Sequence, residues 1–271
     1  MSRTIVIGAG YTGGRVVAAA TARGDEVVAT RRRAALDVCG VDLTLPSTLA
    51  DLFMRGDRVI VTAPPIDDRG SGERALVAAA DRADVARIVY VSTTGVYAPA
   101  AGAWVDEDFA IAPTTAAGRA RVAAEAAIAA AAVSTVIVRA PGIYGPDRGV
   151  VARLRAGSYR VIGDGATAVS RIHVDDLVAA LLACADAAAP ARVYNVADDD
   201  PCPSAELADA AATALGLPPP PRVPLAAIEP ETAGMLTADR RISAARLKRD
   251  LGWTPRFPTW RTALAAGLSW C

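Results

Sequence analysis

Thr4-Ile5-Val6-Ile7-Gly8-Ala9-Gly10-Tyr11-Thr12-Gly13 sets a short β-branched run directly against a glycine-rich hexapeptide. The run reads as a buried strand, and the apolar-periodic stretch 12–23 that follows reads as a helix. A G-x-G-x-x-G pattern carries meaning only in that setting, between a strand and the helix it opens. There, Gly8 permits the tight turn, Gly10 lets the backbone approach a pyrophosphate, and Gly13 lets helix and strand pack closely. The helix start at Tyr11 and Thr12 then offers N–H groups and a positive dipole end to phosphate. The plain alternative is a glycine turn with no ligand; its place at the head of an alternating chain favours the dinucleotide reading.

Outward from this turn, strand-length apolar runs at 4–7, 26–30, 58–62, 87–92, 135–139 and 193–196 alternate with helical patterns at 12–23, 48–55, 71–83, 115–132 and 175–187. Continuous apolar strands separated by helices predict a parallel sheet covered on both faces. The fold expected is α/β, a Rossmann-type doubly wound parallel sheet spanning 1–197, with 146–168 contributing to the substrate side. Asp198-Asp199-Asp200-Pro201-Cys202-Pro203 breaks the pattern, and 218–221 is a stiff polyproline connector. Helices at 204–215, 243–251 and 259–268 then form a small C-terminal substrate lobe, 198–271, placed where such sheets bind ligands.

The 271 residues are 52% apolar, 21% charged and 5% aromatic, with 29 basic and 29 acidic side chains. A balanced charge without a basic run argues against a nucleic-acid partner, and no uninterrupted apolar run suits a membrane span. The start Met1-Ser2-Arg3 runs straight into the first strand, and Cys39, Cys184, Cys202 and Cys271 are scattered without metal or disulfide spacing. A cytoplasmic protein with no metal is the expectation. Alanine is far above ordinary usage and Lys248 is the only lysine, which reads as GC-rich coding with Arg drawn from Lys.

The second strand ends in Arg31-Arg32-Arg33. An NAD site places an acid here for the ribose 2′-hydroxyl, whereas an Arg accommodates a 2′-phosphate. Arginine's planar fork also suits phosphate. Arg31 and Arg32 therefore point to NADP ahead of NAD, with Arg33 turned to water.

With these residues the chain resembles the extended and atypical short-chain dehydrogenase/reductases grouped as NAD-dependent epimerase/dehydratases. The resemblance rests on Val91-Ser92-Thr93-Thr94-Gly95-Val96-Tyr97, Arg139-Ala140-Pro141-Gly142-Ile143-Tyr144-Gly145-Pro146, Ile172-His173-Val174-Asp175-Asp176 and Leu251-Gly252-Trp253-Thr254-Pro255, in family order. It implies an adenine contact at Asp42 and Leu43 and a cofactor-side loop at Ala63 and Pro64. It also implies a turn beside the nicotinamide at Pro141, Gly142 and Ile143.

One departure matters. The family's catalytic pair is Tyr followed four residues later by Lys. In the matching frame, Ala117-Gly118-Arg119-Ala120-Arg121-Val122-Ala123-Ala124-Glu125, Ala117 stands in the Tyr slot and Arg121 in the Lys slot. The exchange removes the usual general acid. Thr93 is then either a carbonyl-binding hydroxyl or a strand end. Arg121 is placed to hold the nicotinamide ribose and raise the local potential. Tyr144, or Tyr97, or water supplies the proton, and each Tyr has a wall-residue alternative.

His173 reads as a structural residue bonded to backbone, Asp175 and Asp176 as acids at a helix start, and Asp106-Glu107-Asp108 as a solvated loop. Trp253, Trp260 and Trp270 read as packing. The leading expectation is an NADP-dependent oxidoreductase that reduces a small carbonyl or imine metabolite without the usual Tyr. Behind it stand a non-redox NADP-binding sensor or scaffold, and a nucleotide-sugar epimerase/dehydratase. The partner is a small-molecule substrate, and the small-residue face of 115–132 could pair two copies as a homodimer.

Overall fold

The computed structural model describes residues 2–35, 37–186 and 192–267. They fold as two compact units, neither continuous in sequence. One comprises the chain up to Thr93, with Ala116–Arg139 and Val178–Tyr194; the other comprises Thr94–Thr115, Ala140–Leu177 and the chain from Asn195 onward.

The first unit is built on strands β1 (Arg3–Ile7), β2 (Glu26–Arg31), β3 (Cys39–Gly40), β4 (Arg58–Val61) and β5 (Arg87–Thr93). Strand β6 (Thr135–Ala140) follows. Strands β7 (Gly142–Tyr144) and β8 (Arg171–His173) belong to the second unit, and β9 (Val193–Asn195) returns to the sheet. That sheet has seven strands in the order β9-β6-β5-β4-β1-β2-β3. The β1–β2, β1–β4, β4–β5 and β2–β3 pairs are parallel. The order reverses at β1, the switch point where such sheets bind nucleotides. Ile5, Val6, Val59, Ile60, Ile88 and Val89 are fully buried, so adjacent positions of each strand face protein. Covered on both faces, these strands read as runs rather than alternations. The expected α/β architecture is present.

Helices α1 (Tyr11–Ala22), α2 (Ser71–Ala83) and α3 (Ala116–Ala129) fall at the predicted positions. Part of the small-residue face of α3 is used within the chain. A Cβ at Gly70, before α2, would lie 2.8 Å from the Ala123 carbonyl and 3.3 Å from the Ala127 methyl. The helix expected over 48–55 does not form. Only a 3-10 turn, Pro46–Leu49, is present. Thr48 Oγ1 donates to the Leu45 carbonyl at 2.8 Å, a local side-chain bond that competes with helix. Leu49 and Phe53 still enter the core.

In the second unit, β7 and β8 pair in parallel. Around them lie α4 (Val150–Arg155), α6 (Ser204–Ala214), α7 (Pro230–Leu236), α8 (Ala245–Leu251) and α9 (Trp260–Gly267), while α5 (Val174–Asp186) runs from this unit into the first. Helices α4 and α7 were not legible as periodic stretches. The last positions of the helices expected over 175–187 and 259–268 lie outside the described residues, as do Trp270 and Cys271. Cys39, Cys184 and Cys202 are free thiols. Among the described residues no helix is long and apolar enough to cross a membrane.

Candidate functional site

The glycine turn is held by its backbone. Gly8 sits at φ +95°, where a side chain is strained, and a Cβ on it would lie 2.8 Å from the Ala63 nitrogen. The N–H groups of Gly8 and Ala9 donate to the Thr30 carbonyl at 3.2 and 2.7 Å. Thr62 Oγ1 donates to the Gly8 carbonyl at 2.7 Å. A Cβ on Gly13 would meet that carbonyl at 2.3 Å and Thr62 Oγ1 at 2.6 Å, so α1 could not pack this close to β1 with any other residue. Gly10 is different. It is exposed, its φ is −86°, and a Cβ there would meet nothing nearer than 4.0 Å. The fold has no steric use for this glycine, and no side chain caps the helix start behind it. A helix start without a side-chain cap beside a missing Cβ is the arrangement a pyrophosphate requires.

Arg31, at the end of β2, folds back over the turn, its Nε donating to the Ala9 carbonyl at 2.7 Å. Arg32 is exposed, its Nε 3.8 Å from Asp42 Oδ2. The N–H and hydroxyl of Thr44 donate to Asp42 at 3.0 and 2.7 Å, and these bonds hold its carboxyl below the usual range, with Arg32 adding to the effect. Asp42 is thus partly engaged, and Leu43 turns its side chain into the core. Ala63 lies against Gly8, and Pro64 is exposed beside it. Tyr11 lies under the Arg15 guanidinium at 4.1 Å, and Thr12 is buried. Beyond Pro64, the N–H groups of Arg69 and Ser71 donate to Asp67, and its bonds to Ser71 hold its pKa at about 2.

At the end of β5 two networks run side by side. Ser92 Oγ donates to Glu125 Oε1 at 2.5 Å, while Arg139 clamps the same carboxylate with Nε at 3.0 Å and Nη2 at 2.6 Å. This buried fork ties three family-like segments together. Arg121 Nη1 donates to Tyr90 Oη at 2.9 Å and to the Val91 carbonyl at 2.8 Å. The Tyr90 hydroxyl in turn faces Glu73 Oε1 at 3.4 Å. Burial pushes both Glu73 and Tyr90 above their ordinary ranges, so the phenol keeps its proton. The basic group at the family's Lys position is therefore anchored along β5. Thr93 ends that strand half-buried, and Ala117, one helical turn before Arg121, is exposed.

In the second unit, Pro141 and Ile143 are half-buried and Gly142 is exposed. Among the described residues, the buried Tyr144 hydroxyl has no hydrogen-bond partner. Burial, and then the nearby Asp198 and Asp176 charges, push its ionisation above the ordinary phenol range. Tyr144 is thus a standing donor rather than a group that cycles its proton. Tyr97 is fully buried, its hydroxyl donating to Asn195 Oδ1 at 2.8 Å, which makes it a wall residue. His173 Nδ1 accepts from the Asp175 N–H at 3.2 Å, and its ring packs on Tyr144 and Phe257. Asp175 and Asp176 lie in the first turn of α5, but Asp176 has a further use. It accepts from the Arg256 and Phe257 N–H groups at 2.6 and 3.0 Å. Glu107 corrects the solvated-loop expectation: it is buried, accepts from the Asn195 N–H at 2.8 Å and lies 3.4 Å from Arg246 Nε. Trp253 and Trp260 are buried, in line with packing.

Two groups in this unit escaped the sequence. Arg171 is buried, its Nη1 donating to the Val169 carbonyl at 2.8 Å and to Cys202 Sγ at 3.3 Å. Asp198 is buried, and among the described residues neither carboxylate oxygen finds a donor of good geometry. Burial pushes its pKa up to about 7, with Arg171 and the Asp200 N–H pulling only partway back. The available signal was an Arg at the head of the short strand Arg171–His173. Asp198 was hidden in a run of three acids.

The profile of the NAD dependent epimerase/dehydratase family matches residues 4–197. A 3-diazoavenalumate denitrifying reductase of a Streptomyces species is 33% identical over 213 residues, covering 72% of this chain and 69% of its own. A 2-alkyl-3-oxoalkanoate reductase of Stenotrophomonas maltophilia (strain K279a) is 28% identical over 249 residues, covering 78% and 74%. Among solved structures, a functionally unknown conserved protein from Silicibacter pomeroyi DSS superposes with TM-score 0.85 at 30% identity, covering 99% of each chain. The human epimerase family protein SDR39U1 (isoform 2), solved with NADPH, superposes with TM-score 0.83 at 20% identity over 98% of this chain and 99% of that one, and shares the fold.

Proposed function

Because the chain belongs to the NAD-dependent epimerase/dehydratase family, we propose that it is an NADP-dependent reductase of a small carbonyl or imine compound. Two reductase relatives and the family together make it an NAD(P)-dependent oxidoreductase. The observation that carries the nucleotide reading is Gly10, a glycine the fold does not need, set before an uncapped helix. The choice of NADP is supported by Arg31 and Arg32 at the end of β2, where no acid stands to take a ribose 2′-hydroxyl. One relative bears the name 2-alkyl-3-oxoalkanoate reductase, and the oxo group in that name is a ketone of the class proposed.

A reduced nicotinamide dinucleotide, held by its pyrophosphate at this turn, would supply hydride to the substrate carbon, and a proton completes the alcohol or amine. Gly8, Gly10, Tyr11, Thr12 and Gly13 form the pyrophosphate turn. Arg31 and Arg32 hold the 2′-phosphate. Asp42, Leu43, Ala63 and Pro64 flank the adenosine half, and Pro141, Gly142 and Ile143 flank the nicotinamide. Thr93 donates its hydroxyl to the substrate oxygen. Arg121, tied to Tyr90 and Val91, stands as a fixed cation that cannot yield its proton. Tyr144 keeps its proton and orients the substrate as a donor. With Ala117 in the phenol position, the proton that completes the product comes from water.

Two measurements test this. NADPH and NADH affinities are compared in wild type and in an Arg31→Ala, Arg32→Ala double variant; the preference for NADPH collapses in the variant, and an unchanged ratio refutes the 2′-phosphate site. NADPH oxidation is followed across ketones, aldehydes and imines; binding without oxidation of NADPH by any of them refutes the reductase.

A further inference from the structure

A cavity of ≈ 730 Å³ lies within the second unit, inside the ~300–1,000 Å³ span of small-molecule sites. Its walls include Val150, Leu207, Trp260 and Leu264, all apolar. The charged lining is unbalanced: Arg148, Arg153, Arg155 and Arg171 stand against one acid, Asp147. Of these, Arg171 is 7% exposed.

The register of the β7–β8 pair sets Arg171 opposite Gly142 and His173 opposite Tyr144. Since side chains alternate along a strand, all four positions lie on one face. Gly142 presents nothing opposite the arginine, and a Cβ there would meet no atom nearer than 3.9 Å. The guanidinium spends Nη1 on two neutral acceptors, Val169 O and Cys202 Sγ. Among the described residues no carboxylate lies within 4 Å of it. Asp198 donates its N–H to the Arg171 carbonyl at 2.8 Å, yet its carboxyl stays beyond ion-pair reach. Asp198 acts on this cation through its field without forming an ion pair, and the Tyr144 hydroxyl, in the same cavity lining, is buried with no partner among the described residues. A buried charge left unpaired is costly, and a carboxylate from outside the chain would relieve it.

We propose that this cavity binds a small apolar carboxylate, its oxygens taken by Arg171 and the Tyr144 hydroxyl and its body packed on Val150, Leu207, Trp260 and Leu264. As the substrate site, this rests on the reductase reading above. The protein would then select acids bearing the reducible group over neutral analogues of the same shape.

The experiment is a binding titration of the full chain with octanoate against octanamide and cinnamate against cinnamamide, by calorimetry and by tryptophan fluorescence, to which Trp260 in the cavity wall contributes. Each acid binds tighter than its amide by about tenfold to a hundredfold, as charge-assisted bonds imply. Arg171→Gln abolishes that difference, and Tyr144→Phe, which loses only an unpartnered hydroxyl, reduces it several-fold. Equal affinity of acid and amide in wild type overturns the proposal, and this comparison stands even if Arg171→Gln does not fold. The two readings fail separately. Octanoate binding with no NADPH oxidation by any ketone refutes the reductase and keeps the carboxylate site. Oxidation of NADPH by neutral ketones as fast as by 3-oxo acids, without octanoate binding, refutes the site alone.

Discussion

Replacing Asp198 by Asn changes one atom and removes one titration. The residue is 2% exposed, and burial lifts its pKa from an ordinary 3.8 to about 7. Below about pH 4 the group is protonated whether the chain is folded or not, so it contributes no pH dependence there. As pH rises the unfolded chain ionises first, and the native state binds the extra proton until about pH 7. Stability therefore falls through that window and is flat above it. Some three pH units at about 1.4 kcal/mol each put the cost of the charged form near ~4 kcal/mol. Asparagine matches the protonated carboxyl in size and carries no charge. Asp198→Asn is thus close to neutral at about pH 4 and stabilising by up to ~4 kcal/mol at about pH 8. For a chain of this size that is roughly 10 °C in midpoint at the higher pH. The assay is thermal unfolding of both proteins across that range, read as the difference in midpoint. A difference that does not grow between the two ends, or that grows in the opposite direction, refutes a buried acid titrating near neutrality.

The glycine turn allows a paired test. Gly13→Ala forces a Cβ to 2.3 Å from the Gly8 carbonyl and lowers the unfolding midpoint and NADPH affinity together. Gly10→Ala has no atom nearer than 4.0 Å, so it keeps the wild-type midpoint and loses NADPH affinity alone. Equal NADPH binding by Gly10→Ala and wild type, measured by calorimetry, would contradict the cradle. Glu125→Ala removes the carboxylate that clamps the buried Arg139 guanidinium and should cost about 3–5 kcal/mol in urea unfolding. Tyr90→Phe removes one of the two Arg121 acceptors, at 2.9 Å, while the Val91 carbonyl remains. A small change in midpoint with a larger loss in catalytic rate is expected, measured by unfolding and turnover side by side.

The sheet and its glycine turn were legible because both are local. The β-branched run of β1, the glycines at 8, 10 and 13 and the helix after them are all set within about a dozen neighbours, and the strands read as apolar runs because both faces are covered. The helix expected over 48–55 failed for an equally local reason, the Thr48 hydroxyl bonding to backbone. Sequence order could place Arg121 and Glu125 on one helix face. It could not say that Arg121 would be spent on Tyr90 and Val91, or that Glu125 would join Ser92 to Arg139.

The second unit is where contacts across long stretches of chain decide everything. In Asp198-Asp199-Asp200 three identical side chains meet three fates. Asp198 is buried, Asp199 takes Lys248 Nζ at 2.7 Å, and Asp200 takes Arg261 at the surface. Glu107, between two exposed acids, is buried against Asn195 and Arg246, residues about ninety and one hundred forty positions away. Backbone preferences and apolar periodicity act over a few residues, and they specify a strand, a glycine turn and the helix after it. Whether a charge ends in water or in a cavity wall depends on which distant segments close over it, because desolvation is a property of the packed neighbourhood and not of the residue.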